Sequence, residues 1–331
     1  MPSPTWRRGR SSLPEVAYPR DDPAGSSGAT VHVALATGQV LPDLAAAADA
    51  PLVAALETRR CRVSRPRWDD AAVDWAAADV VVVRTTWDYA RQRDRFLAWA
   101  GRTAAVTRLW NPVEVLRWNT HKSYLLELEQ RGAPVVPTAW LGRGDRIDLG
   151  ALLSSRGWSQ AVVKPAVGAS SEGLFLVDAE RPHTGQRHLD ALLGRGDVMI
   201  QPYLDTIERR GELSIVVIDG EVSHAIRKIP RPGEYRIQEE FGGARERVVV
   251  DREAAALARW AVEATGTELL FARIDLVEDA TGTLQLAELE ATEPDLYLAV
   301  VPGAADGLAE AIVRRAEGDP SDGGPLHEAR T

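Results

Sequence analysis

Cysteine is nearly absent: Cys61 stands alone in 331 residues. One thiol excludes a disulfide framework and any multi-cysteine metal site, and it suits a reducing cytosol. No apolar run reaches the roughly 18 residues of a membrane span, so no span is expected. Arg7, Arg8 and Arg10 are not followed by an apolar stretch, so no secretory signal is expected either. Dense basic blocks are missing, and 39 Lys+Arg against 48 Asp+Glu leave a net charge of -9. That balance argues against a general nucleic-acid binder. Lysine is the scarcest charged residue, with only Lys122, Lys164 and Lys228 among the 39 basic positions. In a chain so biased toward arginine, these three are either leftover surface charge or kept for chemistry that arginine cannot do.

What is present is ordinary globular material. The chain is 45% hydrophobic and 26% charged, enough for a sizeable core, and its length suits two domains or one composite unit. Residues 1–28 are rich in Pro, Ser, Gly and Arg without hydrophobic period and read as a disordered extension; residues 317–331 read as a flexible tail. Val31–Ala36 and Asp79–Arg84 read as buried strands, Leu44–Arg59 and Arg91–Ala100 as helices. Strands alternating with helices predict a parallel α/β sheet over residues 29–111.

The pattern then changes. Thr120–Arg131 reads as a helix, capped by Asn119 or Thr120 and stopped by Gly132 and Pro134. Strands are expected at Ala161–Lys164, Gly173–Val177, Val198–Gln201, Glu212–Ile218 and Glu221–Ile229, the last two joined at Asp219-Gly220. A helix at Arg252–Thr265, strands at Leu269–Glu278 and Leu284–Glu290, and a helix at Ala304–Ala316 complete an α+β second part.

The sharpest chemical signal is Arg273-Ile-Asp275 followed by Glu288-Leu-Glu290. Positions two apart in a strand share a face, so Glu288 and Glu290 point together, and hairpin pairing can bring Asp275 beside them. Ala287 and Leu289 then face the core. Clustered carboxylates on apolar strands repel one another, and a hard cation such as Mg²⁺ relieves this; the alternative is a solvated strand face paired with arginines. A second signal is Lys164 followed by a small-residue loop holding Gly168, Ser170, Ser171 and Gly173, which suits backbone N–H contact with phosphate but also an ordinary turn. A third is Lys122, which falls in a predicted helix's first turn, against the macrodipole; an anionic ligand or plain exposure would account for it. Gln201-Pro-Tyr203-Leu204, Glu212 and Arg227-Lys228 form a fourth group, whose roles spacing alone does not assign.

Together these pieces resemble the ATP-grasp superfamily, in their order and over residues 112–316. Val83–Tyr89, Trp118–Lys122, Gln238–Gly243 and Glu288–Pro294 look like its glutathione-synthetase-like branch, which includes many uncharacterised bacterial proteins and a cyclo-ligase. The resemblance implies an α/β N-terminal domain followed by a two-lobed α+β ATP-grasp domain. It implies an ATP- and Mg²⁺-dependent, ADP-forming ligase that activates a small carboxylate as an acyl phosphate for attack by an amine. An intramolecular cyclo-ligase and a non-catalytic nucleotide-binding regulator are the alternatives, and the intact acidic trio and lysines argue against the regulator.

On that resemblance Lys122 and Lys164 hold phosphates, the 167–173 loop closes over them, and Gln201, Tyr203 and Leu204 bind adenine. Glu212 is placed toward the ribose, and Asp275, Glu288 and Glu290 hold two Mg²⁺; many relatives carry Asn where this chain has Glu290. Arg227 stabilises charge on the transferring phosphoryl group. Pro230–Gly243 contributes to a lid or to the substrate pocket. Arg84, Trp87, Asp88 and Arg236 are the substrate candidates; their bland readings are a core Trp87, an Arg84–Asp88 pair and a surface Arg236. The expected partners are small molecules, in the cytoplasm, and a homo-oligomer is allowed.

Overall fold

β-Branched runs lay down the first sheet. In this computed structural model, residues 30–169, 172–231 and 242–318 are described. The N-terminal extension, nearly all of the C-terminal tail, Ser170, Ser171 and residues 232–241, hence Arg236, lie outside them. The first unit comprises β1 (His32–Thr37), α1 (Pro42–Thr58), β2 (Arg62–Ser64), β3 (Val80–Thr85), α2 (Arg93–Ala104) and β4 (Arg108–Trp110). The strands are parallel in the order β2-β1-β3-β4. β3 is buried along its whole length, which is why four consecutive valines suit it. The helix expected from Arg91 opens instead as a 3₁₀ turn, Tyr89–Gln92, before α2 begins.

Next come α3 (Val113–Asn119), α4 (Tyr124–Gln130), β5 (Ala139–Leu141), α5 (Leu149–Arg156), β6 (Gln160–Pro165), β7 (Phe175–Asp178), α6 (Pro182–Leu193) and β8 (Val198–Pro202). The strands form an antiparallel sheet, β5-β8-β6-β7. The helix expected over Thr120–Arg131 starts only at Tyr124, because Asn119 and Thr120 finish α3. Lys122 therefore lies in the turn between two helices, and the macrodipole argument does not apply to it. Helices α5 and α6 were not expected. α5 carries its own signals: the Asp148 side chain accepts from the Ala151 N–H at 2.9 Å, and Gly157 stops the helix at φ 66°. Leu149, Leu153, Leu189 and Leu193 of this pair are buried against the sheet.

The rest comprises α7 (Thr206–Arg210), β9 (Glu212–Ile218), β10 (Glu221–Ile229), β11 (Ala244–Val248), α8 (Arg252–Glu263), β12 (Phe271–Glu278), β13 (Leu284–Glu290) and α9 (Ala304–Glu317). The sheet is antiparallel, ordered β11-β10-β9-β12-β13. Asp219 and Gly220 take the positive φ values (54° and 79°) that a tight hairpin turn needs. Gly211, at φ 70°, enters β9; a Cβ there would lie 2.5 Å from the Lys228 carbonyl oxygen, so a side chain would push β10 away.

Each face of this sheet has its own work. Leu213, Ile215, Val217, Ala272, Ile274 and Leu276 pack with Ala254, Ala258 and Ala261 of α8. Glu212, Arg273, Asp275, Glu288 and Glu290 face the other way, toward the second sheet. The C-terminal α9 returns to the first unit, where Leu308 and Ile312 share a core with Leu52 and Leu56 of α1 and with Val33, Leu35, Val80 and Val82.

Candidate active site

The three sheets meet around one cavity of about 630 Å³. β9, β10, β12 and β13 give it a charged floor, β6 and β8 a second wall, and the ends of α1 and β3 a third. Asp275 pairs directly with Glu288, and Arg273 with Glu290, so all four side chains share a face. Extra residue Ala287 forms a bulge between the two halves of this pairing and borders the cavity, where a core position was expected; Leu289 is in the core.

The carboxylates are not a bare cluster. Arg273 donates to Asp275 at 2.9 and 3.0 Å and is ion-paired with Glu290. Lys122 is ion-paired with Glu288. Lys228 is ion-paired with Glu212 and lies 3.6 Å from Asp275. Charge repulsion is thus offset by protein cations, as the solvated-face alternative had it, but on a face turned toward a cavity. Burial alone would raise the Asp275 pKa, yet Arg273 and Lys228 hold it well below the usual carboxylate range. Burial also opposes ionised Glu288, and Lys122 and Lys164 more than offset it. Glu290 goes the other way: burial, with Glu288 and Asp275 nearby, pushes it up to about 7 against the pull of Arg273. Burial raises Glu212 despite Lys228. Lys228 itself is raised far above the lysine range, because Asp275 and Glu212 outweigh its burial.

Lys164, at the end of β6, makes no ion pair or side-chain hydrogen bond among the described residues. Burial pulls its pKa below the usual lysine range, although Glu288 works in the opposite direction. Its ammonium borders the cavity as an uncommitted cation. The Lys122 turn is tied to the same wall, its backbone N–H donating to the Ala166 carbonyl at 2.8 Å. Gly168 borders the cavity; Gly173 does not, and adopts φ 79°. Gln201, Tyr203 and Leu204 border it at the exit of β8. Gln201 is fixed by donating to Thr138 Oγ1 at 2.9 Å, and the Tyr203 hydroxyl donates to Glu208 at 2.6 Å.

Two sequence expectations are corrected by geometry. Arg227 does not border the cavity; it donates to the Arg210 carbonyl at 2.6 Å and lies 3.9 Å from Glu246. A perfect hairpin about Asp219-Gly220 would set Arg227 opposite Glu212. A bulge between Val222 and His224 shifts the register by one, so Lys228 pairs with Glu212 and faces the cavity instead. Arg84 and Asp88 are structural. Arg84 is 1% exposed, donates to Asp49 at 3.2 Å and to the Pro294 carbonyl at 3.3 Å, and does not pair with Asp88. Asp88 accepts from Trp68 Nε1 at 2.9 Å and from the Gln39 N–H at 2.8 Å. Trp87 does border the cavity, with its indole N–H donating to the Glu293 carbonyl at 3.1 Å.

Three groups had no site role in the sequence reading, which gave Asn119 only as a candidate helix cap. Asn119 is a clamp on the end of β13: it accepts from the Ala291 N–H at 2.8 Å and donates to the Leu289 carbonyl at 2.7 Å. Tyr89 and Glu293 border the cavity from the first unit and from the segment after β13. The Glu-Ala-Thr-Glu-Pro run (290–294) was the available signal for Glu293; nothing local marks Tyr89.

The resemblance implies ATP and Mg²⁺. Among the described residues no three His, Cys, Asp or Glu side chains gather as a metal-holding group. The donor chemistry nevertheless fits Mg²⁺, which takes one or two carboxylates and completes its shell with water and phosphate oxygens. Glu288 and Glu290 have side chains 24% and 25% exposed on the cavity face, while Asp275 behind them is committed to Arg273 and Lys228.

Comparison with known proteins agrees with this architecture. Residues 33–111 match the N-terminal domain of D-cycloserine synthetase DcsG, and residues 148–295 match the ATP-grasp domain of prokaryotic glutathione synthetase. The chain belongs to the ATP-grasp superfamily, in its glutathione-synthetase-like branch, and is an ADP-forming carboxylate–amine ligase. It is 33% identical to the cycloserine biosynthesis protein DcsG of Streptomyces lavendulae over 280 residues, 80% of this chain and 92% of that one. A crystal structure of D-cycloserine synthetase DcsG superposes with a TM-score of 0.78 at 32% identity, covering 86% of this chain and 99% of that one. D-alanine–D-alanine ligase from Bacillus anthracis shares the fold, with a TM-score of 0.67 at 15% identity over 87% of this chain and 98% of that one. No helix among the described residues is long and apolar enough to cross a membrane.

Proposed function

We propose that this chain phosphorylates the carboxylate of a small amino-acid-like substrate and passes the activated acyl group to an amine, inside the cavity between the three sheets. The observation that carries the reading is Lys164: a half-buried, uncommitted ammonium beside paired carboxylates in one cavity. Lys122 and Lys164 would hold phosphate oxygens. Glu288 and Glu290, with Asp275 behind them, would hold Mg²⁺, read here as two ions. When bound, Mg²⁺ supplies charge neutralisation at the phosphate oxygens. Lys228 takes the role expected of Arg227, adding positive charge on the cavity side of β10. Gln201, Tyr203 and Leu204 flank the base, and Glu212 the ribose. An acyl phosphate is lost quickly to water, so enclosure by three walls protects it. The single buried cysteine suits the cytoplasm.

The test is Mg²⁺-dependent ADP release, screened over small carboxylates and amino acids, with hydroxylamine to trap the acyl phosphate. Hydroxamate formation with at least one carboxylate is expected; its absence, with no ADP release throughout the screen, overturns the reading. A second reading, intramolecular ring closure, is favoured by the 33% identity to the cycloserine biosynthesis protein over 92% of that protein's length. A ring-closing enzyme releases ADP and phosphate from one substrate without an added amine.

A further inference from the structure

Two polar groups in the cavity are left without partners. Glu293 is 8% exposed and Tyr89 is 5% exposed, and both border the cavity. Among the described residues, neither the Glu293 carboxylate nor the Tyr89 hydroxyl makes a hydrogen bond or an ion pair. Neither polar end is among the buried polar atoms shut off from solvent; both open on the cavity, where an incoming group can meet them.

The backbone around Glu293 is held from both sides. Its own carbonyl accepts from Trp87 Nε1 at 3.1 Å, and the Pro294 carbonyl accepts from Arg84 at 3.3 Å. The Thr292 hydroxyl donates to Asn119 at 3.0 Å. Tyr89 is fixed by packing on Phe96, with ring centroids 5.3 Å apart. The two polar ends are presented to the cavity, where water or a guest meets them.

The chemistry of that guest follows from the neighbours. Glu288 and Glu290 share the region with Glu293, and the nearby cations Lys122 and Arg273 are spent on Glu288, Asp275 and Glu290. A guest carrying positive charge and N–H donors suits this acidic corner. Beside it the first unit offers Leu41 and Leu44, which are 47% and 50% exposed, together with Trp87. That wall suits an uncharged carbon body.

The geometry points to Glu293 and Tyr89 as the receptor for the primary ammonium group of an amino-acid-like substrate, whose carbon body lies against Leu41, Leu44 and Trp87. This rests on the ligase reading above and names its substrate class. The ammonium belongs either to the attacking amine or to the molecule whose carboxylate is activated, and both sources offer the same three N–H donors.

Binding in the presence of ADP and Mg²⁺ tests it, by thermal stabilisation with both enantiomers of the common amino acids. Each is paired with the acid that lacks the amino group. At least one amino acid stabilises the wild-type protein, and its amine-free counterpart binds at least tenfold more weakly. Glu293→Gln weakens that amino acid at least tenfold and Tyr89→Phe weakens it severalfold, while ADP–Mg²⁺ affinity stays within twofold in both. A matching response to amine and amine-free acid, an unchanged response in Glu293→Gln, or no amine response in the wild-type protein overturns the inference. Parallel loss of Mg²⁺ and amine binding in Glu293→Gln overturns it in favour of a metal role. ADP–Mg²⁺ binding in the wild-type sample reports separately on the nucleotide reading, so the two failures are distinguishable. Hydroxamate trapping with the amine-free acid identifies the source: turnover with it assigns the ammonium to the attacking amine, and its failure beside an active amino acid assigns it to the activated molecule.

Discussion

Lys228→Met tests the register of the β9–β10 hairpin and the electrostatics of the floor at once. Lys228 is ion-paired with Glu212 and lies 3.6 Å from Asp275. At an effective dielectric constant of about 20, a unit pair at that spacing attracts by roughly 4–5 kcal/mol. Removing one partner of a buried pair costs about 3–5 kcal/mol, because the carboxylates stay behind unpaired. Urea unfolding near neutral pH should show a loss of that size. The pH dependence has a definite sign. In the wild-type protein the Asp275 pKa is depressed, so its stabilisation is present above the unfolded carboxylate pKa and is lost as pH falls through the folded value. In the variant Asp275 keeps Arg273, but Glu212, already raised by burial, has lost its cation and takes up protons more readily than in the unfolded chain. The variant therefore gains on the wild-type protein as pH falls from above the raised Glu212 pKa toward the ordinary carboxylate range. Arg227→Met is the control. Its side chain is 31% exposed and serves the Arg210 carbonyl, so it should cost no more than about 1 kcal/mol. Mg²⁺-dependent ADP formation should drop about 100-fold in Lys228→Met and stay near wild type in Arg227→Met. Comparable stability losses in the two variants, or a Lys228→Met penalty that does not change with pH, would refute the reasoning.

Lys164→Ala should weaken ATP binding at least about tenfold by equilibrium titration, the size of a lost charge-assisted phosphate contact. It should leave the ligand-free protein as stable as before, since it breaks no protein ion pair; a large stability loss would show that Lys164 has a structural partner. Glu288→Gln should abolish Mg²⁺-dependent ADP formation with the fold intact by circular dichroism, and persisting turnover would put the metal elsewhere. Asn119→Ala leaves the Leu289 carbonyl and the Ala291 N–H without partners, at about 1–3 kcal/mol each. Its unfolding free energy should fall by that amount, and a change below about 1 kcal/mol would show that the clamp is dispensable.

The parallel first sheet was legible because its strands are buried on both faces and so written in unbroken β-branched runs. The acidic floor was legible in part: strand periodicity alone puts Glu288 and Glu290 on one face, but a plain hairpin would pair Asp275 with Ala287, and the bulge at Ala287 is what sets Asp275 opposite Glu288. Arg227 was misassigned for a local reason with a long reach. Two-residue turn counting is right up to Val222, and the bulge beyond it reverses every side chain along the rest of β10. Nothing in Ser223-His224 announces the bulge; His224 is drawn in by the Leu296 carbonyl, 2.9 Å away and far along the chain. The contacts that Tyr89, Glu293 and Asn119 make at the site were not legible for a related reason. Their meaning lies in contacts between the first unit and the end of β13, and no sequence period encodes those.

The return of α9 to the first sheet has a consequence for how the molecule is made. One face of β1 and β3 is covered by α1 together with Leu308 and Ile312 of the C-terminal helix. A ribosome adds about 5–20 residues per second, so the first-made strands wait some tens of seconds for the last-made helix. Strands made well before α9 are sealed only once it emerges, so until then this face of β1 and β3 stays apolar and uncovered.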